Sequence, residues 1–146
     1  SEVNRLLTDA MKIKYGKLHL KHVQNYVEQF SRVKLFIGKE YTKYIPIRIN
    51  LPTDERIRRF QTEDDPALAA LYYNYGRYLL ISSTRPGSLP PNLQGLWAND
   101  YQTPWNGDYH LNINVQMNHW PVDQGNLSEL HLPLIELTTC LVSNGQ

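Results

Sequence analysis

The sequence has one cysteine and no long apolar run. Cys140 is the only cysteine among 146 residues, so an internal disulfide is excluded and the redox compartment stays undetermined. It lies among Leu137, Leu141 and Val142, a context that predicts a buried, unreactive thiol. No apolar stretch approaches the roughly 18 residues that cross a bilayer, so the sequence predicts no membrane span.

Several signatures of function are also missing. The chain has no glycine-rich phosphate loop, no nucleophile elbow and no cysteine–histidine metal set, so we expect no metal and no cofactor. His19 and His22 are spaced like metal ligands, but no carboxylate or thiol completes a set nearby. The first residues contain neither an initiator methionine nor the apolar core of a signal peptide. We therefore expect a mature chain or a piece of a longer one.

Basic residues are scarce in the second half of the chain. Residues 1–60 hold 13 Lys and Arg against 6 Asp and Glu, a charge of +7, whereas residues 61–146 hold 2 against 8, a charge of −6. A basic half can mark a nucleic-acid-binding protein. These basic residues are not interleaved with aromatic ones, which favours a solvated or interdomain surface. We expect no nucleic-acid partner.

Apolar residues recur at helical spacing along most of the chain, which predicts a mainly α fold with helices packed on helices. The best-marked helix has Asp65 as its cap and Pro66 in its first turn. It should end near Ser83–Thr84, because Pro86 disfavours the helical conformation at Arg85. Gly76 within it predicts close packing against another helix. Further helices are predicted at 1–11, 17–33, 52–60 with Thr53 as its cap, 113–120, and from 126 onward with a division at Pro133. Short extended segments are predicted at 35–37 and 44–51.

The stretch from Arg85 to Pro121 holds all three tryptophans and many asparagines, but no lysine and no further arginine. A loop this long is typical of a functional site. Aromatic faces beside neutral amide and imidazole groups suit a neutral, polyhydroxylated ligand better than a phosphate. Trp97 and Trp105 lie in the loop and are candidates for stacking on a ligand, whereas Trp120 lies in a helical pattern that favours the core.

His110, Asn112 and Asn114 alternate with apolar residues. In an extended segment all three side chains would lie on one face, where the carboxamides could bind sugar hydroxyls or a water. The alternative is that an asparagine caps the following helix and that backbone groups satisfy His110. The nearby carboxylates Asp100, Asp108 and Asp123 do not form a convincing acid–base pair, and we expect Asp108 to cap or orient this segment.

Three motifs of this chain resemble glycoside hydrolase family 95, which consists mainly of inverting α-L-fucosidases with some α-L-galactosidases. They are GRYLLISSTRPGSLPPNLQGLW (Gly76–Trp97), PWNGDYHLNINVQMNHWP (Pro104–Pro121) and NLSELHLPL (Asn126–Leu134). Upstream, HVQNYVEQFSRVKLFIG and LPTDERI resemble the family's segment that leads into its catalytic domain. The resemblance implies the start of an (α/α)₆ barrel. Residues 1–60 would form a helical linker with short extended segments, and residues 61–146 the first helices and active-site loop of an incomplete catalytic domain.

The resemblance also implies roles for individual residues. The asparagines that match Asn112 and Asn114 hold the attacking water together with an aspartate, a glutamate protonates the glycosidic oxygen, and the histidine that matches His110 lines the fucose pocket. Both carboxylates lie farther downstream in the family, so we expect this chain to be a fragment without activity of its own.

The expected partners are a fucosylated glycan and the remainder of the catalytic domain, in a bacterial protein that is periplasmic or secreted. An α-L-galactosidase and a non-catalytic carbohydrate-binding or structural helical fragment remain the alternatives.

Overall fold

The computed structural model describes residues 1–38, 50–143 and 145, and the chain divides into two compact units, Ser1–Arg32 and Val33–Gln146. The first unit contains helices α1 (Glu2–Met11) and α2 (Tyr15–Phe30). Ser1 caps α1, since its hydroxyl accepts a hydrogen bond from the Asn4 backbone N–H. Both predicted helices are confirmed, and α2 begins and ends two to three residues earlier than expected.

The second unit contains five α-helices and two short 3₁₀ helices among its described residues. The α-helices are α3 (Thr53–Arg59), α4 (Pro66–Ser83), α5 (Asn114–His119), α6 (Pro121–Gln124) and α7 (Leu132–Val142). The 3₁₀ segments are Ser128–His131 and Pro104–Gly107, and in the latter Trp105 and Asn106 have left-handed dihedral angles.

The predicted mainly α fold is confirmed. Across the described ranges the β-structure is limited to an isolated bridge between Asn92 and Gly95. Residues 35–37 belong to neither a helix nor a strand, and most of the segment predicted at 44–51 lies outside the described residues. No helix in these ranges is both long and apolar enough to cross a membrane.

A buried ion pair fixes the start of α4. The Asp65 carboxylate accepts the Leu68 backbone N–H at 3.0 Å, and it also binds Arg56 through Nε at 2.8 Å and Nη2 at 3.0 Å. Both side chains are more than nine-tenths buried. The hydrogen bond that Arg56 donates to Asp65 raises the pKa of the Arg56 guanidinium. The predicted cap by Thr53 is wrong, because α3 begins at Thr53 itself and Pro52 occupies the capping position.

Arg77 joins α4 to the chain that follows α6. Its side chain is 1% exposed, and it donates to the carbonyl oxygens of Gly125 at 3.2 Å and Val33 at 3.4 Å. The Tyr73 hydroxyl adds a bond to the Gln124 carbonyl at 2.9 Å. Around these contacts lies a core of aliphatic side chains, formed by Leu80, Ile81, Val115, Val122, Leu127 and Leu130.

Three side-chain environments differ from expectation. A Cβ added to Gly76 would meet no heavy atom within 4 Å, so the described residues do not make the predicted close helix contact. Cys140 is exposed rather than buried, and Trp120 is 60% exposed rather than in the core. All three lie on surfaces that the described residues leave open. Helical periodicity identifies an apolar face without showing what covers it.

His119, the last residue of α5, is buried without a hydrogen-bond partner in the described part of the chain. Its ring stacks on His131 at 5.7 Å between centroids, and the His131 Nε2 lies 3.4 Å from a carboxylate oxygen of Asp123. Burial lowers the pKa of His119, and the neighbouring His131 lowers it further. The fold therefore favours the neutral imidazole.

Replacing Asp65 by Ala should destabilise the fold strongly. The change removes the cap of α4 and leaves the Arg56 guanidinium buried without its carboxylate, for which we expect a loss of about 3–5 kcal/mol. Urea denaturation followed by circular dichroism measures the loss. Asp54→Ala is the matched control, because it breaks the exposed Asp54–Arg58 pair and should change stability far less. Equal losses in the two variants would contradict the structural role of the buried pair.

Because of His119, the free energy of unfolding should decrease as the pH falls below about 6.5. The pKa of His119 is lower in the fold than in the unfolded chain, where it is about 6.5, so protons bind preferentially to the unfolded state at acidic pH. We expect the melting temperature of His119→Phe to fall less between pH 7 and pH 5 than that of the wild type. His22→Gln, which changes an exposed histidine, should follow the wild type. Parallel curves for all three proteins would contradict the prediction.

Candidate functional site

The loop that follows α4 is a series of short turns. The backbone N–H of Arg85 donates to the Ser88 hydroxyl at 2.9 Å, and the N–H of Ser88 returns a bond to the Arg85 carbonyl at 2.9 Å. The Asn92 side chain then accepts the Gln94 N–H at 2.8 Å. Asparagine and serine favour turns because their side chains bond to the nearby backbone in this way. The loop is therefore ordered by its own polar residues.

Trp97 lies against this loop. A Cβ added to Gly95, whose φ is +60°, would lie 2.8 Å from the Trp97 ring, so the close approach of the indole requires a glycine there. The Trp97 ring also lies 6.4 Å from that of Tyr78 on α4 and is 47% exposed. One part of the indole is thus in contact with protein, and the rest is open.

The chain then forms a left-handed turn at Trp105 and Asn106, with φ values of 50° and 56°. Such a conformation costs roughly 1–2 kcal/mol for each residue other than glycine. Two backbone bonds hold the turn, Asn106 N–H to the Thr103 carbonyl at 2.9 Å and Asp108 N–H to the Trp105 carbonyl at 3.1 Å. The result is a Trp105 side chain that is 73% exposed.

Residues 110–114, which we call the site segment, form a turn rather than a strand. His110 has a φ of +40°, residues 111–113 are in a turn, and Asn114 begins α5. The condition for placing all three side chains on one face, an extended segment, is therefore not met, because a left-handed residue breaks the two-residue alternation of side chains. The Asn112 side chain is exposed and that of Asn114 is half-buried. No described residue hydrogen-bonds either side-chain amide, which leaves both able to bind a ligand or a water.

Carboxylates are not gathered at this segment. An Asp108 carboxylate oxygen lies 3.9 Å from the His110 Nε2, too far for a hydrogen bond, and the Asp108 side chain is 58% exposed. Asp108 contributes through its backbone instead of its predicted side-chain cap, since its carbonyl accepts the Leu93 N–H at 3.2 Å. Asp123 faces His131 rather than the segment. In the described ranges no group of three or more His, Cys, Asp or Glu residues could hold a metal ion.

Residues 90–93, which we call the proline loop, lie against both ends of the site segment. The Tyr109 hydroxyl donates to the Pro90 carbonyl at 3.2 Å. The Asn118 side-chain amide donates to the carbonyls of Pro91 at 3.1 Å and Asn92 at 3.3 Å. Burial raises the pKa of the Tyr109 hydroxyl, so that it stays a hydrogen-bond donor. A cavity of about 450 Å³, lined in part by Tyr109, Thr84, Arg85, Ser88 and Asn92, opens beside this contact.

The structure thus brings Tyr109 and Asn118, which sequence reasoning missed, next to the segment that holds His110, Asn112 and Asn114. One signal points to them in retrospect. Pro90 and Pro91 have no N–H to pair in a regular element but keep their carbonyl oxygens, and buried carbonyls need donors from elsewhere in the chain. Trp97 and Trp105 lie on the loop as predicted, each with an exposed part of its ring.

Comparisons with known proteins cover this whole region. Residues 14–146 match the family described as the glycosyl hydrolase family 95 catalytic domain. The chain is 43% identical over 144 residues to "Alpha-L-fucosidase 2" of Arabidopsis thaliana, which covers 99% of the chain and 17% of that relative. It is 45% identical over 133 residues to "Probable alpha-fucosidase A" of Aspergillus niger, which covers 91% of the chain and 16% of that relative.

A further protein of the same name from Aspergillus oryzae is 37% identical over 128 residues, which cover 88% of the chain and 17% of that relative. These relatives come from a plant and from fungi, so they give no support to the predicted bacterial source. The chain spans only 16–17% of the length of the relatives it matches. Because the family match runs from residue 14 to residue 146 and so includes the whole site segment, the chain belongs to glycosyl hydrolase family 95.

Proposed function

We propose that the whole protein removes terminal α-L-fucose from glycans by inverting hydrolysis, and that Asn112 and Asn114 orient the attacking water. The observation that carries the proposal is the identity of 43–45%, over most of the chain, with relatives named as α-fucosidases. The neutral character of the site supports it, because asparagine, histidine and tryptophan side chains suit a sugar without a phosphate or carboxylate.

The chemistry assigns different tasks to the two sides of the sugar. Inverting hydrolysis needs a carboxylic acid that protonates the leaving oxygen and an activated water on the opposite face. A carboxamide is too weak a base to deprotonate water, but it can accept the water's hydrogen bonds and fix its direction. The side-chain amides of Asn112 and Asn114 are not engaged by described residues and can take that task. His110, Trp97 and Trp105 would contact the sugar.

The acid and the base come from residues beyond 1–146 in this proposal. Asp108 is exposed and does not hydrogen-bond His110, and Asp123 contacts a different histidine. An apolar groove of about 700 Å³ between α3 and α4 supports a contact with further protein, since large open apolar patches mark interaction sites. It is lined by Ile57, Phe60, Leu68, Leu71, Tyr72 and Tyr75 among others.

We infer that the remainder of an (α/α)₆ barrel covers this groove. The division into a linker (1–60) and a first part of the barrel (61–146) is part of the same proposal. A periplasmic or secreted location would place the enzyme where fucosylated glycans are available.

Replacing Asn112 or Asn114 by Ala in the whole protein should lower kcat about 100-fold or more, because the water loses its orientation. Release of nitrophenol from nitrophenyl α-L-fucoside measures the rate. Asn4→Ala, which changes an exposed asparagine on α1, is the matched control and should keep the wild-type rate. Near-normal turnover by both site variants would refute the assigned role. Faster turnover of nitrophenyl α-L-galactoside than of the fucoside would instead favour an α-L-galactosidase.

Residues 1–146 alone should show no fucosidase activity, because the proposed acid and base are absent from the site segment and its surroundings. The chain is assayed beside the whole protein at equal molar concentration, with circular dichroism as a check on its helices. Release of fucose by the folded 146-residue chain would contradict the assignment of the carboxylates to residues outside it.

A further inference from the structure

We propose that Tyr109 and Asn118 are positioning residues, which hold the site segment in its reactive geometry by binding it to the proline loop. The inference rests on the proposed function. Tyr109 directly precedes the segment, and Asn118 follows Asn114 by four residues, one turn along α5. The two residues therefore anchor the segment at both ends to the same loop.

The anchors use carbonyl oxygens that have few other donors. Pro90, Pro91 and Asn92 present three successive carbonyls, and the side chains of Tyr109 and Asn118 donate to all three at 3.1–3.3 Å. A fourth bond runs the other way, from the Leu93 N–H to the Asp108 carbonyl at 3.2 Å. Pro90 and Pro91 are buried, so a lost donor would leave their carbonyls poorly solvated, whereas the Asn92 carbonyl also accepts the Gly95 N–H at 3.1 Å.

The segment between the anchors needs this support. His110 has a left-handed backbone, and the Val115 N–H to His110 carbonyl bond that closes the turn is long, at 3.4 Å. A strained conformation persists only where its surroundings determine it. Without the anchors the turn can relax, and the carboxamides of Asn112 and Asn114 move with it. A misplacement of about 1 Å at a reacting centre can cost about 100-fold in rate.

The chain offers a matched control for a purely structural role. The Tyr73 hydroxyl donates to the Gln124 carbonyl at 2.9 Å, the same kind of bond that Tyr109 makes to Pro90. The Tyr73 bond joins α4 to the end of α6 and contacts neither the site segment nor the proline loop. Tyr73→Phe and Tyr109→Phe therefore each remove one hydrogen bond from a tyrosine hydroxyl to a backbone carbonyl. Of the two bonds, only that of Tyr109 adjoins the site segment.

The experiment measures kcat and KM of the whole protein on nitrophenyl α-L-fucoside for Tyr109→Phe, Asn118→Asp and Tyr73→Phe. The aspartate keeps the shape of Asn118 but has no N–H donor. We expect kcat to fall about tenfold or more in the first two variants, with KM changed less than about twofold, and no change in Tyr73→Phe. Tyr109→Phe removes a single oxygen atom and should fold normally. If Asn118→Asp does not fold, the comparison of Tyr109→Phe with Tyr73→Phe alone tests the inference.

A double variant separates positioning from general loss of stability. If Asn118 acts through Asn112 and Asn114, Asn114→Ala combined with Asn118→Asp should lower kcat by less than the product of the two single losses. Additive losses would overturn the inference, and so would wild-type kcat values in Tyr109→Phe and Asn118→Asp. In both cases an active wild-type protein would leave the proposed function standing. A wild-type protein that releases no fucose would overturn the proposed function and the positioning role together.

Discussion

The second unit of this chain depends on one buried guanidinium. Arg77 is 1% exposed, and a charged group in that position is costly unless its N–H groups find acceptors. The carbonyl oxygens of Gly125 and Val33 serve as acceptors, and each lies more than forty residues away in sequence. Arg77 thereby fixes the chain that follows α6 against α4. Because α5 immediately precedes α6, the helix that begins at Asn114 is held in the same frame.

The Arg77 contacts hold the helices around the site, but the site itself consists largely of loops, which need contacts of their own. Three of the four residues other than glycine with positive φ in the described ranges lie between Trp105 and His110. Each costs conformational energy, and such residues persist where neighbouring contacts leave no alternative. Around His110 the proline loop supplies those contacts, because its carbonyls accept bonds from Tyr109 and Asn118. The strained backbone and the bonds that hold it therefore lie next to Asn112 and Asn114, the residues that we propose to orient the water.

Local chemistry predicted the helices well and the site geometry poorly. Asp65 followed by Pro66 marked the start of α4, and Pro86 marked its end, because capping and proline sterics act within a few residues. The alternation of residues 109–114 suggested a strand, but the left-handed His110 makes it a turn. The role of Asn118 depends on carbonyls 26 and 27 residues earlier, a contact that periodicity does not reveal. The exposure of Gly76 and Trp120 likewise depends on which protein covers each helix face. The family was identified from whole motifs rather than from periodicity.

The anomeric configuration of the first sugar released by the whole protein tests the central claim most directly. Proton NMR during early hydrolysis of an α-L-fucoside distinguishes the two anomers before mutarotation mixes them. If water held by Asn112 and Asn114 attacks directly, the configuration inverts and β-L-fucose appears first. Initial formation of α-L-fucose would require a covalent intermediate and two displacements, and it would contradict the account of a water oriented by the two asparagines.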